Sequence, residues 1–217
     1  MFNAQRFTGF FAAALIASTP LLAAPAAAQS ADAPSGAYNL DPTHASVVFK
    51  VAHLGLSDYT ARFTKFDIAL NLDAENPANS TVTATIDPSS VETEYPGATD
   101  FNGEIANDAK FLNAGQFPEI TFTSTSVEPT GDNTAKVTGD LSMLGATQPV
   151  TLDVVLNGAL ANHPFAKKPA VGFTATGEFD RTVWGMAHLT NTLGADGPAI
   201  VSPTVSFEIQ AEFIKAE

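Results

Sequence analysis

Eight separate runs of this chain alternate apolar and polar residues with period two. The local structure with that period is a strand with one face turned inward. Val47, Phe49 and Val51 form the first run, Ile68, Leu70 and Leu72 the second, and Val82, Ala84 and Ile86 the third. Ile120 and Phe122 begin the fourth; Val137, Leu141 and Met143 mark the fifth, with the phase slipping near Gly139. Val150, Leu152, Val154 and Leu156, then Val171, Phe173, Ala175 and Phe179, then Val205, Phe207, Ile209, Ala211 and Phe213 complete the set.

Turn-forming segments separate the runs: DPTH at 41–44, DAENPANS at 73–80, EPTGDN at 128–133, LGATQP at 144–149 and NHPFAKKP at 162–169. Their Asp, Asn, Gly and Pro residues supply the φ values and local hydrogen bonds that reversals need. Many evenly spaced strands argue for an all-β sandwich or barrel. Long runs favour a barrel, whose closure removes edges open to aggregation; a two-sheet sandwich is the alternative. Residues 99–114 differ: Phe101, Ile105, Ala109 and Leu112 recur near helical spacing, which predicts a short helix ended by Gly115 that covers an end or flank of the sheet.

The N-terminus reads as a targeting segment. Arg6 gives a positive start, residues 7–22 are mostly apolar, and Ala26, Ala27 and Ala28 have the small-residue form of a signal-peptidase site. The apolar stretch contains Pro20 and is shorter than the roughly 20 residues of a spanning helix. The expected organisation is a signal peptide at 1–28, a polar linker at 29–36 and one domain at 37–217, exported to the periplasm. Cleavage leaves 189 residues and moves the net charge from −13 to −14, because Arg6 is lost. Such acidity argues against nucleic-acid binding, which needs clustered Lys and Arg against phosphate.

No cysteine is present, which removes disulfides, thiolate nucleophiles and Cys-ligated metals. There is no G-x-S-x-G elbow, no Ser-x-x-Lys motif and no Walker sequence. The four histidines, His44, His53, His163 and His188, form no H-x-H or H-E-x-x-H pattern, and His44 and His53 would face opposite sides of one unbroken strand. No metal is expected. Twelve phenylalanines remain after the signal peptide, and a barrel lined by Phe, Val, Ile and Leu suits an apolar guest if its side chains leave a tunnel.

Several segments resemble the YceI-like, polyisoprenoid-binding proteins. YNLDPTHASVVF at 38–49 followed by VAHLG at 51–55 is similar to their opening. FTKF at 63–66 resembles their G-x-F-x-x-F segment, with Ala61 and Arg62 where glycine is common. SVET at 90–93 and NDAKFL at 107–112 match their strand-to-helix passage, with Lys110 and Phe111 in place of His-Leu. FPEITF at 117–122 resembles Y-P-x-I-x-F, and GDLSMLGATQPV at 139–150 resembles G-x-L-T-x-x-G-x-T-x-P-V, with Ser142 for Thr. FDRTVWGM at 179–186 is similar to I-x-R-x-x-F/W-G-M. The likeness spans residues 37–214. True lipocalins fit less well, because their G-x-W lies near the N-terminus and Trp184 stands late.

The resemblance implies an eight-stranded antiparallel lipocalin-like barrel that binds an isoprenoid, polyprenyl or quinone-type lipid and has no shared catalytic centre. The expected ligand-binding residues are Phe49, His53, Phe63, Phe66, Phe111, Phe122, Arg181, Trp184 and Phe207. Arg181 has an alternative role in a structural ion pair bracing the Asp180–Trp184 turn, and Trp184 as a plug of one barrel end. Arg62 with Lys65, or Arg181, would be the source of a basic rim; the acidic balance otherwise favours a neutral head group. No cofactor is expected beyond the lipid. Transient membrane contact and a homodimer are compatible with the chain, and no heptad or lone apolar stripe decides between monomer and dimer. A lipid-processing enzyme and a packed, ligand-free structural protein are the competing classes.

Overall fold

The computed structural model describes residues 33–195 and 197–217, so the expected signal peptide and residues 29–32 lie outside them. Ten strands and one helix follow in order: β1 (Gly36–His53), β2 (Ser57–Phe63), β3 (Phe66–Leu72), β4 (Thr81–Ile86), β5 (Val91–Glu92), α1 (Phe101–Asn107), β6 (Ile120–Gly131), β7 (Thr134–Met143), β8 (Ala146–Leu160), β9 (Ala170–Asp180) and β10 (Val201–Lys215). All pairings are antiparallel, and β1 joins β10 to close the sheet.

Eight wall positions make the barrel. Seven are β1, β4, β6, β7, β8, β9 and β10; the eighth is shared by β2 and β3. β1 spans 18 residues and pairs with both: Gly36–Asn39 lie against β3, Val47–His53 against β2. The break between β2 and β3 falls at Thr64 and Lys65. There the Thr64 amide donates to the Ser90 carbonyl (3.1 Å) and the Lys65 amide to Ser90 Oγ (3.0 Å). β2 was not expected from periodicity, because only Ala61 and Phe63 in it turn away from solvent.

The eight alternating runs fall on the eight wall positions. Their phase differs from expectation at one point. Val137, Gly139, Leu141 and Met143 share one parity and all face inward, so β7 does not slip. The irregularity lies across the ladder in β6, between Ser124 and Ser126. The helix is also shorter than expected, seven residues ending at Asn107 rather than at Gly115. Asp100 caps its start by accepting from the Gly103 amide. Asp108 is extended and its carboxylate accepts from the Lys110 amide (2.9 Å), which turns the chain back onto the helix.

The core has three parts. Tyr38, Leu40, Ile68, Ala159, Val171, Ala211 and Phe213 pack at the end where β1 begins and β10 finishes, the terminal end. Ala33 joins them, and Lys215 Nζ donates to the Ser35 carbonyl (2.7 Å), so residues just before β1 are tied to the barrel. Ile120, Phe122, Met143, Val150, Leu152, Trp184 and Met186 pack toward the opposite, helix end. Ala61, Val91 and Ala106 form a small third cluster where α1 lies on β2 and β5.

Candidate ligand-binding lumen

An inward side chain on a closed barrel meets solvent only through the lumen. Between the two buried end clusters, Val82, Ala84, Val154, Leu156, Phe173, Ala175, Phe207 and Ile209 face inward, pack on the clusters and remain only partly buried. Val82 and Ala84 touch both clusters, so the apolar lining is continuous from end to end. Interiors packed to native density leave few voids; the partial accessibility of this inward band makes it the candidate lining of a bore.

Two glycines shape the bore. Phe122 lies over Gly139, whose position leaves no room for a Cβ beside that ring. Phe207 lies over Gly177, where a Cβ would stand 2.6 Å from the ring's Cζ. Each ring thus leans along the wall instead of crossing the lumen. Gly139, Gly177, Ala84 and Ala175 were not expected as site residues; small residues in the inward phase of an alternating run were their only signal.

The nine expected residues separate into groups. Phe66 packs against the terminal-end cluster, while Phe122 and Phe207 belong to the helix-end core and its margin. Phe49 and Phe63 stack with ring centres 5.3 Å apart beside the third cluster. Trp184, 5% exposed, stands edge-on to Phe179 at 5.2 Å, and Phe179 meets Phe207 at 6.0 Å. The indole Nε1 donates to the Ala146 carbonyl (3.1 Å), which fixes the Trp184 ring within the helix-end core.

Three residues sit apart from the bore. Phe111 meets His188 edge-on at 5.5 Å with Lys110 Nζ over its ring, outside the three apolar clusters. His53 is exposed at the end of β1, paired with Ser57 and Val201. Arg181 is buried, and its donors go to backbone carbonyls: Nε to Ser202 (2.9 Å), Nη1 to Met186 (2.6 Å), Nη2 to His188 (2.9 Å) and Val201 (3.3 Å). It braces the loop that follows β9. Burial pushes its pKa down, with Asp180 acting the other way. The Asp180 carboxylate accepts from the Thr182 hydroxyl (2.7 Å) and amide (2.8 Å), so the brace is built on carbonyls and not on the expected ion pair.

The expected basic rim is neutralised locally. Arg62 meets Glu92 at 3.1 Å and Glu94 at 3.7 Å; Lys65 meets Asp87 at 3.8 Å. Two open surface hollows, of about 270 Å³ beside the β1–β2 turn and about 290 Å³ between Phe117 and the β7–β8 turn, lie outside the wall.

A model of the YceI-like domain matches residues 38–213. The chain belongs to the YceI-like family. It is 34% identical over 205 residues to a UPF0312 protein of Pseudomonas putida, with 94% of this chain and 96% of the relative covered. Among solved structures it resembles BcnA of Burkholderia cenocepacia, with a TM-score of 0.64 at 20% identity over 80% of this chain and 98% of the other. It also resembles a polyisoprenoid binding domain from Saccharophagus degradans, with a TM-score of 0.61 at 14% identity over 82% and 98%. At these identities the two structures show a shared barrel fold.

Proposed function

We propose that this chain is a periplasmic binding protein that carries a long apolar amphiphile, an isoprenoid or quinone-type lipid, in its barrel. The continuous inward apolar band that stays partly accessible carries this reading. The family, and the polyisoprenoid binding domain that shares the fold, support it. Export is supported by the signal-peptide pattern of residues 1–28. Paired Arg62 and Lys65, together with the carbonyl-bound Arg181, favour a neutral head group over a pyrophosphate.

Each CH₂ moved from water into the bore contributes roughly 0.8 kcal/mol. A tail of several prenyl units offers more than any observed affinity, so ordering of the tail and of the lining must offset much of it. A carrier with those energetics keeps an insoluble molecule monomeric and releases it to an apolar acceptor. Leu56, Tyr59, Tyr95, Val183, Leu189 and Leu193 are large and exposed at the helix end, against Leu160 and Phe165 at the terminal end, which supports the helix end as the contact for a membrane.

Protein purified from its native host and extracted with organic solvent is expected to yield a prenyl lipid or long-chain amphiphile by mass spectrometry. Repeatedly empty protein that also fails to take up such lipids overturns the proposal.

A further inference from the structure

Outside the bore, at the seam that closes the barrel, the DPTH segment of β1 makes a wide bulge. Leu40 pairs with Phe213 and Ala45 with Ala211, so the four residues Asp41–His44 stand opposite Glu212 alone. The bulge is held by the Thr43 amide (2.9 Å) and hydroxyl (2.6 Å), both donating to Asp41 Oδ1. Asp41 Oδ2 lies 2.9 Å from His44 Nδ1. Ligand atoms of Asp41, His44 and Glu212 all fall within 4.8 Å of one another. His163 Nε2 reaches Glu212 Oε1 at 3.2 Å, and its Nδ1 accepts from the Ala166 amide (3.1 Å). The neutral ring therefore carries its proton on Nε2 and orients Glu212 as a donor. Histidines 119 positions apart in the chain thus converge on one carboxylate.

From this geometry we infer that Asp41, His44 and Glu212 form a binding site for a divalent transition-metal ion of the zinc type, with His163 positioning Glu212. One imidazole and two carboxylates match the nitrogen and oxygen ligands that such ions take in three-ligand sites with an open position for water. Ligands about 2.0–2.1 Å from one tetrahedral ion are about 3.4 Å apart. The His44 side chain is largely exposed, which leaves it space to turn toward that spacing. An ion there replaces the contacts that His44 Nδ1 makes with Asp41 Oδ2 (2.9 Å) and Thr43 Oγ1 (3.0 Å). Its structural effect is a clamp between β1 and β10, the pairing that closes the sheet.

The mature chain without an affinity tag, titrated with Zn²⁺ alone at pH 7.5 by calorimetry, is expected to bind close to one equivalent. His44→Ala and Glu212→Gln are each expected to weaken binding at least tenfold, and His53→Ala, at the other end of β1, to leave it unchanged. Zn²⁺ is expected to raise the melting temperature of the wild type and His53→Ala but not of His44→Ala, by preferential binding to the folded state. Absence of saturable heat and of any melting shift up to millimolar Zn²⁺ overturns the inference. So does an affinity unchanged in both His44→Ala and Glu212→Gln.

Discussion

The outer edge of the Phe207 ring on β10 stands against the bare α-carbon of its cross-strand partner Gly177 on β9. A methyl group at residue 177 would also stand 3.1 Å from the Thr151 carbonyl, so the backbone of β8 closes the other side. Gly177→Ala is expected to cost about 1–3 kcal/mol, the usual range for overpacking. Urea unfolding measures it. An unchanged midpoint would show that Phe207 has space to rotate away.

Ala175 faces the bore between Val154 and Ile209. Ala175→Trp fills the lumen and is expected to lower uptake of a prenyl lipid at least tenfold. Thr176→Trp, one residue along on the exposed face, is expected to leave uptake unchanged. Equal uptake by the two variants would place the ligand outside the barrel.

Removing the guanidinium of Arg181 strands four carbonyls of the loop after β9. Arg181→Met is expected to destabilise the fold by about 2–4 kcal/mol, as buried groups without partners do. Arg181→Lys is expected to recover only part of that loss, since an ammonium cannot span the same carbonyls. Lipid affinity per folded molecule is expected to stay the same; a selective loss of affinity would make Arg181 a ligand contact.

The Asp180 carboxyl is held below its ordinary pKa by the Thr182 hydroxyl, then by the Thr182 amide. Its folded pKa is depressed, so the stability it contributes is present above the ordinary value of about 3.9 and is lost as the pH falls from there toward the folded value. The melting-temperature difference between the wild type and Asp180→Asn is expected to be constant above about pH 5 and to shift against the wild type below about pH 4. A difference independent of pH down to 2 would contradict this.

Leu56 is 82% exposed in the β1–β2 turn, and the Gly55 beside it packs on Pro198 of the loop that carries Leu193. Leu56→Asp with Leu193→Asp is expected to slow lipid transfer to neutral vesicles roughly tenfold, since one buried leucine contributes about 1.5–3 kcal/mol. Uptake from detergent is expected to be unaffected. Transfer at the wild-type rate would remove the helix end as the membrane contact.

The wall was legible in the sequence because a half-buried strand writes its orientation into every second residue, as Val205, Phe207, Ile209, Ala211 and Phe213 do. β2 carries no such record, since Ser57–Thr60 are exposed on a strand that leaves the regular wall. The helix was overextended because apolar spacing continues to Leu112, whereas Asp108 stops the helix through its own carboxylate. Phe122 and Phe207 followed from pattern alone; the partner each needs, Gly139 or Gly177, has no side chain to stand out. An ion pair bracing the turn was expected of Arg181, but the guanidinium turns toward carbonyls that sequence reading does not display. The meeting of His44 with Glu212 depends on the register of β1 against β10, a long-range property that no local motif encodes.

At the helix end the sheet terminates on β5, which pairs with β2 on one side and has no strand on its other side among the described residues. Side chains of α1 stand in that gap, with Asn102 Oδ1 accepting from both the amide (2.9 Å) and the hydroxyl (2.6 Å) of Thr93. The helix is held by this pair of bonds, by the amides of Leu112 and Ala114 donating to the Ile105 and Ala106 carbonyls, and by the Phe101 ring against Tyr59 and Tyr95. At this one place the wall is held by side-chain packing and helix contacts, where every other neighbouring pair of wall strands is held by a ladder of backbone hydrogen bonds.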